Sequence, residues 1–459
     1  MHSLIALALL ILPVFFVMRR DFTRGLCLAL ALFAVITDRL ALEGGAFQFT
    51  FQRVLLLVTL GFWYRWTSRH RPLAKIPFLG LFIAWGVASL LSVIFSTSFG
   101  MSLKTFISFS TEVILFYIIV STTLTDLDTV TKAFRALAIG IAVVGLFGVY
   151  EYYRETNLAM DLLGVSSGIV GDGDGILVTF QHRILLGYAM AMGWPLLLAW
   201  SLNSEGRTKK LVTLAILPVL ACCYFPNSRG PWFGAALAGG CLYLLGSPKI
   251  RRSLQMFGIL VALVIAVRPG VRATVVDLVG STFEKDSYRG ESARYRKELW
   301  RVAFTLVNSS PERALFGYGG TTTETMDISD KMPFGASTYL LGYSSWDNNY
   351  AADLVEYGYL GLGIEFALNG CILFALWRAA RSCPPAYQDM AAAVFASAII
   401  YVYALTNVFM FSPQLKCIFL TLVVIGTRLP MLAHESEEEV CPADEPGVEE
   451  AEPATATTA

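Results

Sequence analysis

The chain has 459 residues, of which 55% are hydrophobic and 15% charged, and its 35 basic and 35 acidic side chains cancel. Soluble domains carry about 25% charged residues, so the balance argues for a chain that lives in a bilayer and gives no electrostatic footing for nucleic acid. There is no G-x-x-x-x-G-K-[ST] loop and no paired Cys-x-x-Cys, and none of the eight cysteines falls in the longest polar stretch, so nucleotide hydrolysis, a zinc site or a disulfide-stapled outer domain is not expected.

A helix needs about 20 apolar residues to cross a bilayer. Apolar runs near that length lie at 3–17, 26–42, 49–64, 77–95, 107–121 and 134–150, then at 184–200, 211–224, 232–245 and 255–267, and finally at 354–377, 390–405 and 415–432. They predict an all-α polytopic membrane protein of about 12–13 transmembrane helices. Arg19 and Arg20 follow the first run, and no small-residue cleavage site is evident, so this run reads as an anchor rather than a cleaved signal.

Loop charge sets the orientation. Basic loops, such as those carrying Arg65, Arg69 and Lys75 or Arg207, Lys209 and Lys210, alternate with loops that carry little more than Arg39, Lys104 or Arg229. Basic loops face the cytoplasm, so the long polar stretch 268–350 and a smaller loop at 151–183 face outward. Three parts follow: helices and the first outward loop over 1–177, a membrane domain with the large outward loop over 178–433, and an acidic tail over 434–459. The tail is expected to be disordered in the cytoplasm.

Within the large loop, Tyr295, Leu299, Val302, Ala303 and Leu306 recur at helical spacing. They predict an amphipathic helix lying on the membrane or roofing a cavity. Several outward residues carry possible chemistry. Arg229, in a very short turn, has a planar fork suited to phosphate; interfacial snorkelling is the alternative. Arg294 and Arg296 form a cluster suited to a diphosphate, or else touch lipid headgroups. Asp347 offers a general base, with Asn348 and Asn349 orienting hydroxyls, although the same run also makes a helix cap. Tyr350 follows in the same run. Glu356, entering a span among glycines, needs a buried partner such as an arginine. His182 and Arg183 end the smaller outward loop.

Three motifs, in order and on one side, carry a resemblance. They are Asn227-Ser-Arg-Gly230, then Arg296-x-x-x-Trp300 with Ser310-Pro-x-x-x-Leu-Phe-Gly-Tyr-Gly-Gly320, and finally Asp347-Asn-x-Tyr-x-x-x-Leu-Val-Glu-x-Gly-x-x-Gly361. The chain thereby resembles the O-antigen ligase and polymerase superfamily of bacterial envelope glycan enzymes, best between about residues 178 and 405; the first six spans match only in being hydrophobic. The resemblance implies a GT-C-like membrane fold in the inner membrane, with a periplasmic loop containing amphipathic helices and the active site facing the periplasm. It implies an inverting glycosyltransferase that needs no metal or other cofactor and uses an undecaprenyl-diphosphate-linked glycan donor among membrane lipids. The acceptor is a glycan or a lipid.

By this carry-over Arg229 and Arg296 hold the diphosphate, and Arg294 helps. Ligases of the superfamily resemble His-Asn-x-Tyr in the third motif, where this chain has Asp347, and its large loop holds no histidine. Polymerisation of O-antigen, capsule or exopolysaccharide repeats is therefore expected ahead of ligation to lipid A-core or protein. A glycan flippase is the reading from another class. The absence of an internal repeat, the one-sided loop and the scarcity of mid-span charges (Glu365 is the clearest) argue for an enzyme.

Overall fold

The computed structural model describes residues 2–37, 39–44, 47–70, 75–165, 175–270, 272–273, 276, 280, 288–328, 331, 346–410 and 412–440. Parts of the two polar loops (166–174, 281–287 and 332–345) and the tail 441–459 lie outside the described residues.

The protein is an all-α, multi-pass membrane protein. Its chain runs through α1 (His2–Arg20), α2 (Phe22–Val35), α3 (Phe51–Thr67), α4 (Leu79–Ile94), α5 (Phe99–Thr123), α6 (Leu127–Arg154) and the short α7 (Leu158–Leu163). After the 151–183 loop come α8 (Arg183–Leu202), α9 (Gly206–Tyr224), α10 (Arg229–Leu245) and α11 (Pro248–Val267). The large loop contributes α12 (Tyr288–Val307), α13 (Pro311–Phe316) and α14 (Thr322–Thr325). The chain closes with α15 (Asn349–Ser382), α16 (Gln388–Leu405) and α17 (Pro413–Val440).

Seven helices among the described residues are long and apolar enough to cross a membrane: α5, α6, α8, α11, α15, α16 and α17. The other apolar runs read from the sequence also lie on helices, with one shift. The run at 26–42 stops being helical at Val35 and turns into a two-stranded antiparallel hairpin, Ala41–Gly44 on Phe47–Thr50. Aromatic and β-branched residues around a glycine pair favour that hairpin over a continued helix.

In lipid, helices gain little from apolar contact alone and instead pack closely through small residues. The centre of the bundle shows this. A Cβ on Gly187 of α8 would lie 2.5 Å from the Pro231 ring of α10, and one on Gly193 would lie 2.2 Å from Ile141 of α6. The alanine-rich face of α16 packs on the same helix, where Ser397 Oγ donates to the Met192 carbonyl at 2.7 Å. α8 is consequently buried over most of its length, whereas α11 is almost wholly exposed on the bundle's rim.

The large loop docks onto the bundle through α12, whose Leu299, Val302 and Ala303 are fully buried, as the helical spacing predicts, and which packs against α15. The turn after α13 fixes that docking. Gly317 and Gly319 adopt φ of +72° and +102°, and α15 itself breaks at Gly358, with φ +65°. Tyr318 N–H donates to the Val355 carbonyl at 2.8 Å and Gly319 N–H to that of Glu356 at 3.0 Å. A Cβ on Gly317 would sit 2.5 Å from the Glu356 backbone, and one on Gly358 2.5 Å from that of Leu315. Loop and helix thus interlock backbone to backbone, and only glycine permits both the conformation and the approach.

Candidate active site

The loops 151–183 and 268–350 and the turn between α16 and α17 converge at one end of the helices. Gln414 Nε2, at the start of α17, donates to the Thr179 carbonyl just before α8 at 3.1 Å. Arg39, after α2, donates to the Gln181 carbonyl at 3.3 Å, so the N-terminal helices also reach this end.

Arg296 crosses the opening. α12 projects it so that Nε donates to the Asp347 carbonyl at 3.2 Å and to the Asn407 carbonyl at 3.1 Å; Nη2 lies 3.9 Å from Asp347 Oδ2. One guanidinium therefore ties the large loop to the α16–α17 turn and sets a cation beside the Asp347 carboxylate. Tyr295, the preceding residue, feels the same pair: burial pushes its phenol pKa up, Asp347 adds to the rise and Arg296 opposes it.

Arg229 opens α10, directly after Asn227 in the left-handed region and the N-cap Ser228. Its neighbour Gly230 faces Tyr188 of α8 so tightly that a Cβ would lie 2.3 Å from the phenol oxygen. Tyr188 is fully buried and its hydroxyl has no hydrogen-bond partner among the described residues, although it lies within the electrostatic reach of Arg296 and Tyr403. Arg296 thus bears on an orphaned hydroxyl that lies against the first turn of α10, the turn that Arg229 opens. A second orphan, the buried Trp346 Nε1, precedes Asp347. Unsatisfied buried donors are rare enough to call for a specific explanation, and a ligand supplies one.

His182 caps α8: its Nδ1 accepts from Ile184 N–H at 3.2 Å, which leaves the proton of the neutral ring on Nε2. The residue itself is exposed at the mouth. The protein crowded behind the ring lowers its pKa below 6.5, Asp347 partly offsets this, and Arg183 adds to it. A histidine from the smaller loop therefore faces the carboxylate of the larger one. Arg183 packs against Gly175 beside Pro226, in the turn that precedes α10.

The remaining residues singled out in the sequence go elsewhere. Asn348 caps α15, its Oδ1 accepting from Ala351 N–H at 3.1 Å. Tyr350 turns away from Arg296 and meets Asn369 Nδ2 at 3.4 Å within the bundle. Glu356 finds its buried partner in the Thr323 hydroxyl and in Thr323 N–H at 3.4 Å, not in an arginine. The Gly-rich turn brings Thr323 there, and a side chain that short leaves no separate signal in the sequence. Arg294 lies on α12 with its side chain outside the described residues. Tyr188, Tyr403 and Asn407 were not legible beforehand, because they sit in apolar spans or a two-residue polar turn. Among the described residues no three His, Cys, Asp or Glu side chains converge as metal ligands do.

A family model described as O-antigen ligase matches residues 214–366. The match takes in Arg229, Arg296, Asp347 and Glu356 and, over that third of the chain, supports the O-antigen ligase and polymerase superfamily and glycan transfer of that general type. No curated protein matches the chain.

Proposed function

We propose that the chain is an inverting, metal-independent glycosyltransferase that takes glycan from undecaprenyl diphosphate and polymerises O-antigen, capsule or exopolysaccharide repeats on the periplasmic side of a bacterial inner membrane. One observation carries this reading: Arg296 is tied to the Asp347 and Asn407 carbonyls and sets its guanidinium 3.9 Å from the Asp347 carboxylate. A diphosphate needs fixed donors and cations, whereas a hydroxyl nucleophile needs a nearby acceptor for its proton. The site has both within one opening.

The reaction is a single displacement. The acceptor hydroxyl attacks the anomeric carbon, the bond from that carbon to the diphosphate oxygen breaks, and configuration inverts. The hydroxyl proton passes to Asp347. Negative charge grows on the departing diphosphate, where Arg229, Arg296 and the N-terminus of α10 stabilise it. Arg183 and His182 Nε2–H line the approach as further donors. The Arg296 bonds to the Asp347 and Asn407 carbonyls hold the base and the diphosphate clamp in fixed register.

His182 favours a second reading. Ligases of the superfamily resemble a histidine where this chain has Asp347, and here the smaller loop brings an imidazole to that carboxylate. Transfer of finished glycan to lipid A-core or protein is the corresponding alternative. A deletion strain separates the two: single repeats on the acceptor indicate lost polymerisation, and long polymer still on the lipid carrier indicates lost ligation. Normal surface glycan in that strain would overturn both.

A further inference from the structure

A cavity of about 440 Å³ lies at the same end of the helices, walled by α5, α15 and the start of α17. It is separated from the arginine site by a thin partition. Asp347 and the Asn407 carbonyl face Arg296 on one side, while Asn349, Phe409 and Met410 line the cavity on the other. Met410 N–H donates to Asn349 Oδ1 at 3.0 Å and closes the partition.

The cavity is polar where a span is normally apolar. Glu365 of α15 is 2% exposed, lines the cavity and leaves Oε2 without a hydrogen-bond partner. The Asp353 carboxyl meets Glu365 and also accepts from the Asn349 amide. Asn369 adds a second amide and Lys416 a cation. Opposite, α5 departs from regular helix in a π-helical turn over Ser110–Leu115 that carries Glu112, which is held by Arg53 at 2.8 Å. Such turns recur at functional sites, because the extra residue re-aims side chains. Trp85 and Phe109 supply flat apolar faces.

We propose that this cavity is the subsite for the acceptor saccharide, a glycan rich in hydroxyls and free of carboxylate substituents. The inference rests on the transfer reading given above. Interleaved carboxylates, amides and a lysine match the donors and acceptors of sugar hydroxyls, and the aromatic faces match the apolar faces of sugar rings. Positive charge in the wall comes from Arg53, Lys104 and Lys416, and Glu112 already holds Arg53, which disfavours an acidic sugar. The volume is within the roughly 300–1,000 Å³ of small-molecule sites. The orphaned Glu365 oxygen takes a hydroxyl proton as a hydrogen bond, and the attacking hydroxyl of the same glycan reaches over the partition to Asp347.

The test uses the full-length protein in lipid nanodiscs and two probes. One is the neutral oligosaccharide repeat released by mild acid from the surface glycan of the producing cell; the other is farnesyl diphosphate. Glu365→Gln keeps size and removes charge, and Met101→Trp fills the cavity from an exposed position on α5. Both variants are expected to weaken oligosaccharide binding at least tenfold and to leave farnesyl diphosphate binding unchanged. If Glu365→Gln does not fold, Met101→Trp decides alone. Wild-type oligosaccharide affinity in the folded variants overturns the subsite. Wild-type protein that binds farnesyl diphosphate but no oligosaccharide also overturns it and leaves the transfer reading standing. Oligosaccharide binding that depends on this cavity, without any diphosphate binding, supports the subsite and removes the diphosphate reading.

Discussion

Arg296 binds the backbone of Asp347, not only its carboxylate: Nε donates to the Asp347 carbonyl at 3.2 Å and Nη2 stands 3.9 Å from Oδ2. In the proposed transfer the arginine places the base as well as stabilising the leaving group. Arg296→Ala is expected to abolish long glycan chains while protein levels stay normal, a loss on the order of a hundred- to a thousandfold in transfer. Arg296→Lys keeps the charge but loses the fork, so it should recover little of that activity. Long chains in both variants, read as a ladder on a glycan gel, would remove the arginine from the mechanism.

The interlocked glycines make a stability prediction. Gly358→Ala must accept φ of +65° and a Cβ 2.5 Å from the Leu315 backbone, so strain of about 1–3 kcal/mol is joined by overpacking of similar size. Gly363, one turn further along α15, has nothing within 4 Å, and its alanine variant should be neutral or slightly stabilising. Melting of the two detergent-purified variants checks this, and equal melting temperatures would contradict it.

Thr323 tests the partner assigned to Glu356. Thr323→Val removes the hydroxyl that faces the buried carboxylate while keeping shape, and leaving a buried polar group short of a partner costs about 1–3 kcal/mol. Thr323→Ser should behave as the wild type. A melting curve unchanged by valine would mean that the hydroxyl contributes nothing to the docking of the turn.

Acidification should destabilise the mouth through His182. Its folded pKa is lowered, chiefly by the surrounding protein, so its contribution to stability is complete above the unfolded value of about 6.5 and is lost as pH falls through the folded value. Because Asp347 opposes the shift, Asp347→Asn should lower the folded pKa further and enlarge the loss. His182→Asn keeps an N-cap and should flatten the limb. The effect is small, because the residue is exposed, and it is measured as melting temperature against pH from 5 to 8. A limb that persists in His182→Asn assigns it to another group.

The helices and the arginines were legible in the sequence for different reasons. Spans announce themselves by length alone, Arg229 stands out as a lone cation in a very short turn, and Arg296 as part of a basic cluster on an amphipathic helix. Partnership was much less legible. Glu356 reads as a buried charge in want of an arginine, yet its partner is a threonine brought in by a turn whose glycines only make sense once the break at Gly358 is seen. Tyr350 belongs to the same motif as Asp347, but helical rotation carries it to the other side of the partition. Glu365 was visible as an odd acid in a span, but the cavity that explains it requires Asp353, Asn349 and α5, which are far apart in the chain.

The most direct measurement is chain extension in liposomes holding the full-length protein and the undecaprenyl-diphosphate-linked repeat, with a chelator present. The account predicts that wild type lengthens the glycan under chelation, and that Arg229→Ala, Arg296→Ala and Asp347→Asn, inserted at equal density, leave it as single repeats. Undiminished extension in all three variants would contradict the site, and extension that stops when the chelator is added would contradict the metal-independent chemistry.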